Sequence, residues 1–527
     1  MLNLSLPGNP RYQPKDLQKY FGYDNLFRCV VEVEIATMRT LAEIGVIPPE
    51  DIALLTPELE QKLLAITTTE VDRVENTDTE EFGKKTKHDI RAWVVIAKSR
   101  VPEGLRRWIH IPLTSYDVLD TARSLQFSRA HTEVVKPLAD KVIKHFIERT
   151  RTFASVKQIG RTHGQHALPI TVGFWFATIL SRILRNIESA NMAACGLVGK
   201  ISGAVGAYNA QKAVGITSTC ALNRLEAIQA FMSNHGVTST NDIPAGMMSR
   251  IMSEHPTFEE LVLKKLGLKP APISTQILPP EPLADYLFAC VKLSASLGQF
   301  GRDGRNLMRS EIAELCEPFD KGQVGSSTMA HKRNPINFEN LESTWLKNKN
   351  EFGKVLDVFL SDHQRDLVNS AVARDFPTIV VNLVSQLNTL LRGDPPFIAR
   401  ISVDQEACKR NLELQGVEIL AEPVQIALQM AGYTGDAHKV VNEQALPLVK
   451  QGNSWLGAIK KIAEDQNDQG LLEARSKLPD DVMSLIEDVG GHSENYTGLA
   501  AEKALEIAKA AENYLNAPAV MAAFLGV

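Results

Sequence analysis

An all-α fold is what this sequence predicts, and three observations carry the prediction. Apolar residues recur at helical spacing through most of the chain, hardly any stretch alternates over more than four residues, and aromatics make up only 6%. Leu138, Val142, Ile143, Phe146 and Ile147 form one stripe, with Lys136, Asp140, Lys141 and Lys144 on the other side. Similar stripes run through 283–315, 379–391 and 501–515. Helix starts are marked by Ser115 and Asp117 ahead of Val118, and by Ser402 and Asp404 ahead of a charged helix, since their side-chain oxygens satisfy free N–H groups. Pro102, Gly104 and Pro112 end a first helical unit; Pro270, Pro272, Pro279, Pro280 and Pro282 form a stiff loop; Gly393, Pro395 and Pro396 mark another break. This punctuation divides the chain into an N-terminal helical region (1–115), a central long-helix bundle (116–392) and a C-terminal helical region (393–527).

Composition narrows the function classes. The 527 residues carry 57 Lys+Arg against 62 Asp+Glu, a net charge of −5, which argues against a protein that coats nucleic acid. No apolar run approaches the roughly 18 residues of a membrane span, and the N-terminus has no charged-then-apolar signal pattern. The six cysteines are scattered without a C-x-x-C pair and read as reduced thiols of a cytoplasmic protein. Gly196, Gly199, Gly203 and Gly206 make no G-x-G-x-x-G, and no H-E-x-x-H or Cys/His cluster is present, so neither a dinucleotide nor a metal or other cofactor is expected.

The segment richest in chemistry is Gly322-Gln323-Val324-Gly325-Ser326-Ser327-Thr328-Met329-Ala330-His331-Lys332-Arg333-Asn334-Pro335. Two glycines precede a run of small hydroxyls, and a cation and an amide follow. Such a loop can present consecutive backbone N–H groups and Lys332 to an anion. Taken on composition alone it could equally be a solvated Gly-Ser surface loop. The Walker order G-x-x-x-x-G-K-[ST] is absent.

Read as a unit, this loop resembles the G-S-S-x-M-x-x-K-x-N signature of the fumarase/aspartase superfamily. Its Lys-Arg-Asn-Pro ending and the preceding Glu317-Pro318-Phe319-Asp320-Lys321 are most similar to the adenylosuccinate lyase family. Ala330 stands where that family usually has proline. The resemblance continues, in family order, through Arg11-Tyr12, Lys87-His88-Asp89, Thr114-Ser115-Tyr116-Asp117, Arg161-Thr162-His163-Gly164-Gln165, Lys200–Gly206, Thr275-Gln276 and Arg365-Asp366-Leu367 through Ser370 to Arg374. Matches span roughly residues 11 to 430, while the C-terminal hundred match only as generic helices.

The resemblance implies a β-elimination that releases fumarate by breaking a C–N bond. The proton lost is very weakly acidic, so the carbanion must be held as an aci-carboxylate by preorganised donors. Lys332, Asn334 and the loop N–H groups suit that task. Ser326 matches the family's general base, with Ser327 as its neighbouring alternative; a serine there needs help from loop dipoles and a cation. His163 matches the general acid that protonates the departing nitrogen, with His166 as the competitor. Arg11, Arg365 and Arg374 offer planar forks for phosphate and carboxylate. Thr114 and Ser115 lie at a helix start that favours anions. Tyr12, Lys87, His88, Asp89, Gln276, Arg333, Asn340 and Ser370 complete the implied substrate-binding set, His88 either at the phosphate or in proton transfer.

The implied substrates are adenylosuccinate, giving AMP, and the succinyl-carboxamide intermediate of purine synthesis (SAICAR), giving AICAR. Argininosuccinate lyase and carboxymuconate cycloisomerase are the alternatives within the superfamily, and a non-catalytic helical scaffold is the alternative outside it. The family forms homotetramers in which three subunits build each site. The loop around 322–334 is expected to close over substrate, with Ala330 adding flexibility in the free enzyme.

Overall fold

The computed structural model describes residues 13–254, 256–319, 329 and 331–517, with the side chains of 218–224 and 253–254 left aside. Long helices frame it: α1 (Arg28–Glu43), α2 (Asp89–Arg100), α3 (Ser115–Ala130), α4 (Lys136–Thr152), α5 (Val172–Cys195), α6 (Glu281–Leu307), α7 (Ile336–Asp357), α8 (Pro377–Leu390) and α9 (Ala500–Asn516). The stripe read from 138–147 lies in α4, where Val142, Ile143, Phe146 and Ile147 are buried and Leu138 packs partly buried beside them. The fold is mostly helical, as the periodicity predicts.

Among the described residues, buried side chains group into three main cores. The largest joins α4 to α9, threaded by rings: Phe146 lies 5.0 Å from Phe300, Phe300 5.6 Å from Phe338, and Phe338 5.5 Å from Phe397. Helices α6 and α7 approach closely because Gly301 and Gly304 carry no side chain. A Cβ on Gly301 would sit 2.5 Å from the Phe338 carbonyl oxygen. A second core surrounds Trp93 and draws on α1, α2 and α3 together with Ile201, Phe258 and Leu263. The third, around Trp455, Ile459 and Leu471, belongs to the C-terminal helices.

The structure refines the mostly helical reading and corrects it at several local points. Among the described residues, six short strands occur: a hairpin of β1 (Lys157–Thr162) and β2 (Gln165–Thr171), then β3 (Val198–Gly199) parallel to β4 (Lys269–Pro270), and β5 (Leu315–Cys316) antiparallel to β6 (Ser402–Val403). The hairpin escapes a periodicity search because its register shifts between Ile159 and Arg161, and its residues are largely polar. The stripe over 283–315 does not form one helix: α6 ends at Leu307, and Leu315 pairs in β5. The N-cap of α3 is Thr114, not Ser115, which is the first helical residue; Asp117 accepts from the Thr114 N–H at 2.8 Å. Asp404 does cap its helix, accepting from the Ala407 N–H at 2.9 Å, whereas Ser402 lies in β6.

A π-helical turn over His131–Val135 carries α3 into α4 and buries His131 completely. Its Nε2–H donates to Asn191 Oδ1 at 2.8 Å, and its ring meets Tyr286 edge-on at 5.4 Å. Burial lowers its pKa from 6.5 to about 4. Between those values the unfolded chain holds a proton that the folded chain does not, so stability rises with pH across that window and is lost as pH falls. The slope from this one group is about 1.4 kcal/mol per pH unit. Denaturant unfolding from neutral pH down to about 4 should therefore show a shallower pH dependence for His131→Leu than for the natural chain. Parallel curves would contradict this account of His131.

Candidate active site

His163 occupies the tip of the β1–β2 hairpin. With Thr162 paired to Gln165, His163 and Gly164 form the two-residue turn at φ of 54° and 78°, the twist that two-residue hairpin loops favour. Positive φ is uncommon for a residue with a side chain, though histidine tolerates it better than most. His163 is exposed. His166 is half-buried one pair back from the turn, opposite Arg161; burial and then Arg161 lower its pKa against the pull of Glu314. Of the two histidines weighed for the general acid, His163 is the one presented outward.

The start of α3 is organised by a buried carboxylate. Asp117 Oδ1 accepts from Lys200 Nζ at 2.6 Å, from the Ser202 N–H at 3.0 Å and from the Gly203 N–H at 3.1 Å. Its Oδ2 takes the N–H and hydroxyl of Thr114 at 2.8 and 3.1 Å. The same 200–206 segment reaches the Gln276 loop, through a 2.7 Å bond between the Ser202 and Ser274 hydroxyls. It also packs Gly206 so tightly that a Cβ there would lie 2.0 Å from the Ser274 carbonyl. One ion pair thus ties the Thr114-Ser115 segment to the loop that carries Gln276.

Arg365 is held on several sides. Its guanidinium lies 3.5 Å from the centre of the Tyr116 ring. It donates to the Tyr116 hydroxyl, to Gln276 Oε1 at 3.0 Å and to the Asp366 carbonyl at 3.2 Å. Two adjoining cavities open here, sharing Tyr116, Arg123, Ser370 and Ala373. The smaller, about 110 Å³, is mostly apolar and includes Asp120, Leu283, Arg365 and Phe376. The larger, about 570 Å³, is lined by Asp89, Arg123, Ser370 and Arg374 among others.

His88 caps α2, with Nδ1 3.1 Å from Asp89 Oδ1, and Lys87 precedes it at a φ of 53°. Glu75 faces the same region. Burial raises its carboxyl pKa first, Asp89 and Asp72 add to the rise, and His88 and Arg374 oppose it. The fold therefore brings Asp89, Gln276, Arg365, Ser370 and Arg374 together, with His88 alongside.

The remaining candidates among the described residues do not line these two cavities: they are His163, Thr114, Ser115, Lys332, Arg333, Asn334 and Asn340. Lys332 and Arg333 are exposed, with the Arg333 guanidinium 5.0 Å from the Phe319 ring. Asn340 sits on α7 and accepts from the Thr389 hydroxyl at 3.0 Å. Glu317 holds the loop's far end, accepting from the N–H groups of Asn337 and Phe338 at 2.9 and 2.8 Å. Burial raises the Glu317 pKa against those bonds. Arg11, Tyr12, Ser326, Ser327 and nearly all of 322–330 lie outside the described residues. Sequence reading passed over Tyr116 as a partner for Arg365, and Glu314 beside Arg161; only the tertiary contacts identify them.

A family model described as lyase matches residues 16–249 and 245–347. The chain belongs to that lyase family. Its place is in the fumarase/aspartase superfamily, and it is an enzyme. It is 30% identical over 517 residues to the adenylosuccinate lyase of Pyrococcus abyssi, covering 97% of this chain and 98% of that one. The adenylosuccinate lyase of Bacillus subtilis is 30% identical over 438 residues, 83% of this chain and 88% of its own. Among solved structures, 3-carboxy-cis,cis-muconate lactonizing enzyme from Pseudomonas putida superposes with a TM-score of 0.67 at 18% identity, covering 95% and 98% of the two chains. A fumarate lyase from a Mesorhizobium species gives 0.67 at 20% identity, covering 95% and 100%. At those identities the likeness is one of fold. Among the described residues, no helix is long and apolar enough to cross a membrane, and no group of three or more His, Cys, Asp or Glu could hold a metal ion.

Proposed function

We propose that this lyase eliminates fumarate from adenylosuccinate, leaving AMP, and from SAICAR, leaving AICAR. The observation that carries the reading is the paired cavity where Asp89, Ser370 and Arg374 meet Arg365, whose fork is held by Tyr116 and Gln276. An arginine fixed in this way is preorganised for a phosphate or carboxylate, since little of its freedom is left to lose on binding. The hydroxyl of Ser370 and the second cation, Arg374, suit a phosphomonoester.

In the proposed reaction Ser326 removes the proton from the carbon beside a succinyl carboxylate. The electron pair collapses into that carboxylate, and Lys332 and Asn334 stabilise the resulting aci-form. The pair then forms the fumarate double bond as the C–N bond breaks, and His163 delivers a proton to the departing nitrogen. We propose further that these groups meet in a homotetramer. His163 stands exposed on a hairpin tip and lines neither cavity of its own chain, as expected if it serves a site completed by another copy.

Absorbance and product analysis with purified protein should show adenylosuccinate converted to AMP plus fumarate, and SAICAR to AICAR plus fumarate. Turnover of argininosuccinate or carboxymuconate alone would replace this reading with another superfamily activity. No turnover of any of them would favour a scaffold.

A further inference from the structure

The hairpin that presents His163 is held near its tip by a buried carboxylate outside every sequence motif quoted above. Glu314 has no exposed side-chain surface. Its Oε1 accepts from Arg161 Nη2 at 2.6 Å and from Asn411 Nδ2 at 2.8 Å; its Oε2 accepts from Gln158 Nε2 at 2.7 Å and from Arg161 Nη1 at 3.1 Å. Two of these donors are the fork of a single arginine, the geometry that fixes orientation as well as distance.

That arginine is two residues from His163. The register shift between Ile159 and Arg161 turns its side chain inward, as bulges beside functional sites commonly do. Gly160 is required there, because a Cβ would lie 2.8 Å from the Leu168 carbonyl. Beyond Arg161 the strands run out into solvent and only the turn remains. Glu314 itself is rigidly placed: its N–H donates to the Leu307 carbonyl at 3.0 Å, and its carbonyl accepts from the Asp404 N–H at 3.0 Å.

We infer that Glu314 is a positioning residue for His163, acting through the Arg161 fork to aim the hairpin tip at the substrate nitrogen. This inference rests on the reading of His163 as the general acid. An acid aimed by a hairpin is sensitive to small displacements, and about 1 Å of misplacement can lower a rate on the order of 10²-fold.

The test is a cycle of Glu314→Gln and His163→Ala in the full-length assembled enzyme with adenylosuccinate. Glu314→Gln should lower kcat on the order of 10²-fold with KM nearly unchanged, and should have no further effect once His163 is already alanine. Arg161→Lys provides a second variant if Glu314→Gln does not fold. It keeps the charge beside Glu314 but loses the two-pronged contact, and should show the same split and the same dependence on His163. Unchanged kcat in either folded variant would overturn the inference. So would an equal loss with and without His163, which would mark Glu314 as merely structural. Full activity of His163→Ala would remove the underlying reading of the acid, a result distinguishable from both.

Discussion

Replacing His163 with alanine is expected to lower turnover by about 10²-fold or more, the scale of lost general acid catalysis. In the proposed reaction the departing nitrogen accepts a proton as the C–N bond breaks, and the hairpin presents only one histidine at its tip. His166, one pair back from the turn and opposite Arg161, is half-buried and does not face outward in the same way. The Arg365 cavities stay intact in the variant, so KM should change little while kcat falls. Steady-state kinetics checks this. Loss confined to KM would assign His163 to binding, and retained kcat would remove it from the chemistry.

Replacing Lys200 with methionine is expected to destabilise the fold by about 3–5 kcal/mol, the usual consequence of leaving a buried charge unpaired. Lys200 and Asp117 both have 0% side-chain exposure and meet at 2.6 Å. Without the ammonium, Asp117 keeps its bonds from Thr114, Ser202 and Gly203 but has no countercharge in a dry site. Replacing both partners together, Lys200→Met with Asp117→Leu, should recover part of the loss, because the desolvation of the carboxylate disappears. Its remaining deficit reports the hydrogen bonds that Asp117 made. Denaturant unfolding measures both. A loss below about 1 kcal/mol in the single variant would mean that water or a neighbouring group compensates, against the geometry described.

How far the sequence could be read depended on the range of the signal. The stripe in α4 needed only local spacing, and so did the starts and stops at Asp404 and Gly393. The β1–β2 hairpin was hidden because the shift at Gly160 breaks its alternation and its inward groups, Gln158 and Arg161, are polar. Their partner Glu314 is about 150 residues away in sequence, a separation that no window can span. The site divides along the same line. Motif resemblance nominated Arg365, Gln276 and Ser370, but the stacking of Arg365 on Tyr116 is a tertiary fact. Thr114 rather than Ser115 caps α3 because Asp117 is also bonded to Lys200 and the 202–203 backbone, which fixes the frame of that helix.

The central claim is that acid and base are brought together by assembly, the hairpin of one copy serving a cavity completed by others. Mixing His163→Ala and Ser326→Ala subunits, with dissociation and reassembly, measures this most directly. Each variant alone should be nearly inactive, and reassembled mixtures should regain part of the natural activity, because some sites draw both intact residues from different copies. Mixed assemblies that form but remain as inactive as either parent would contradict the account.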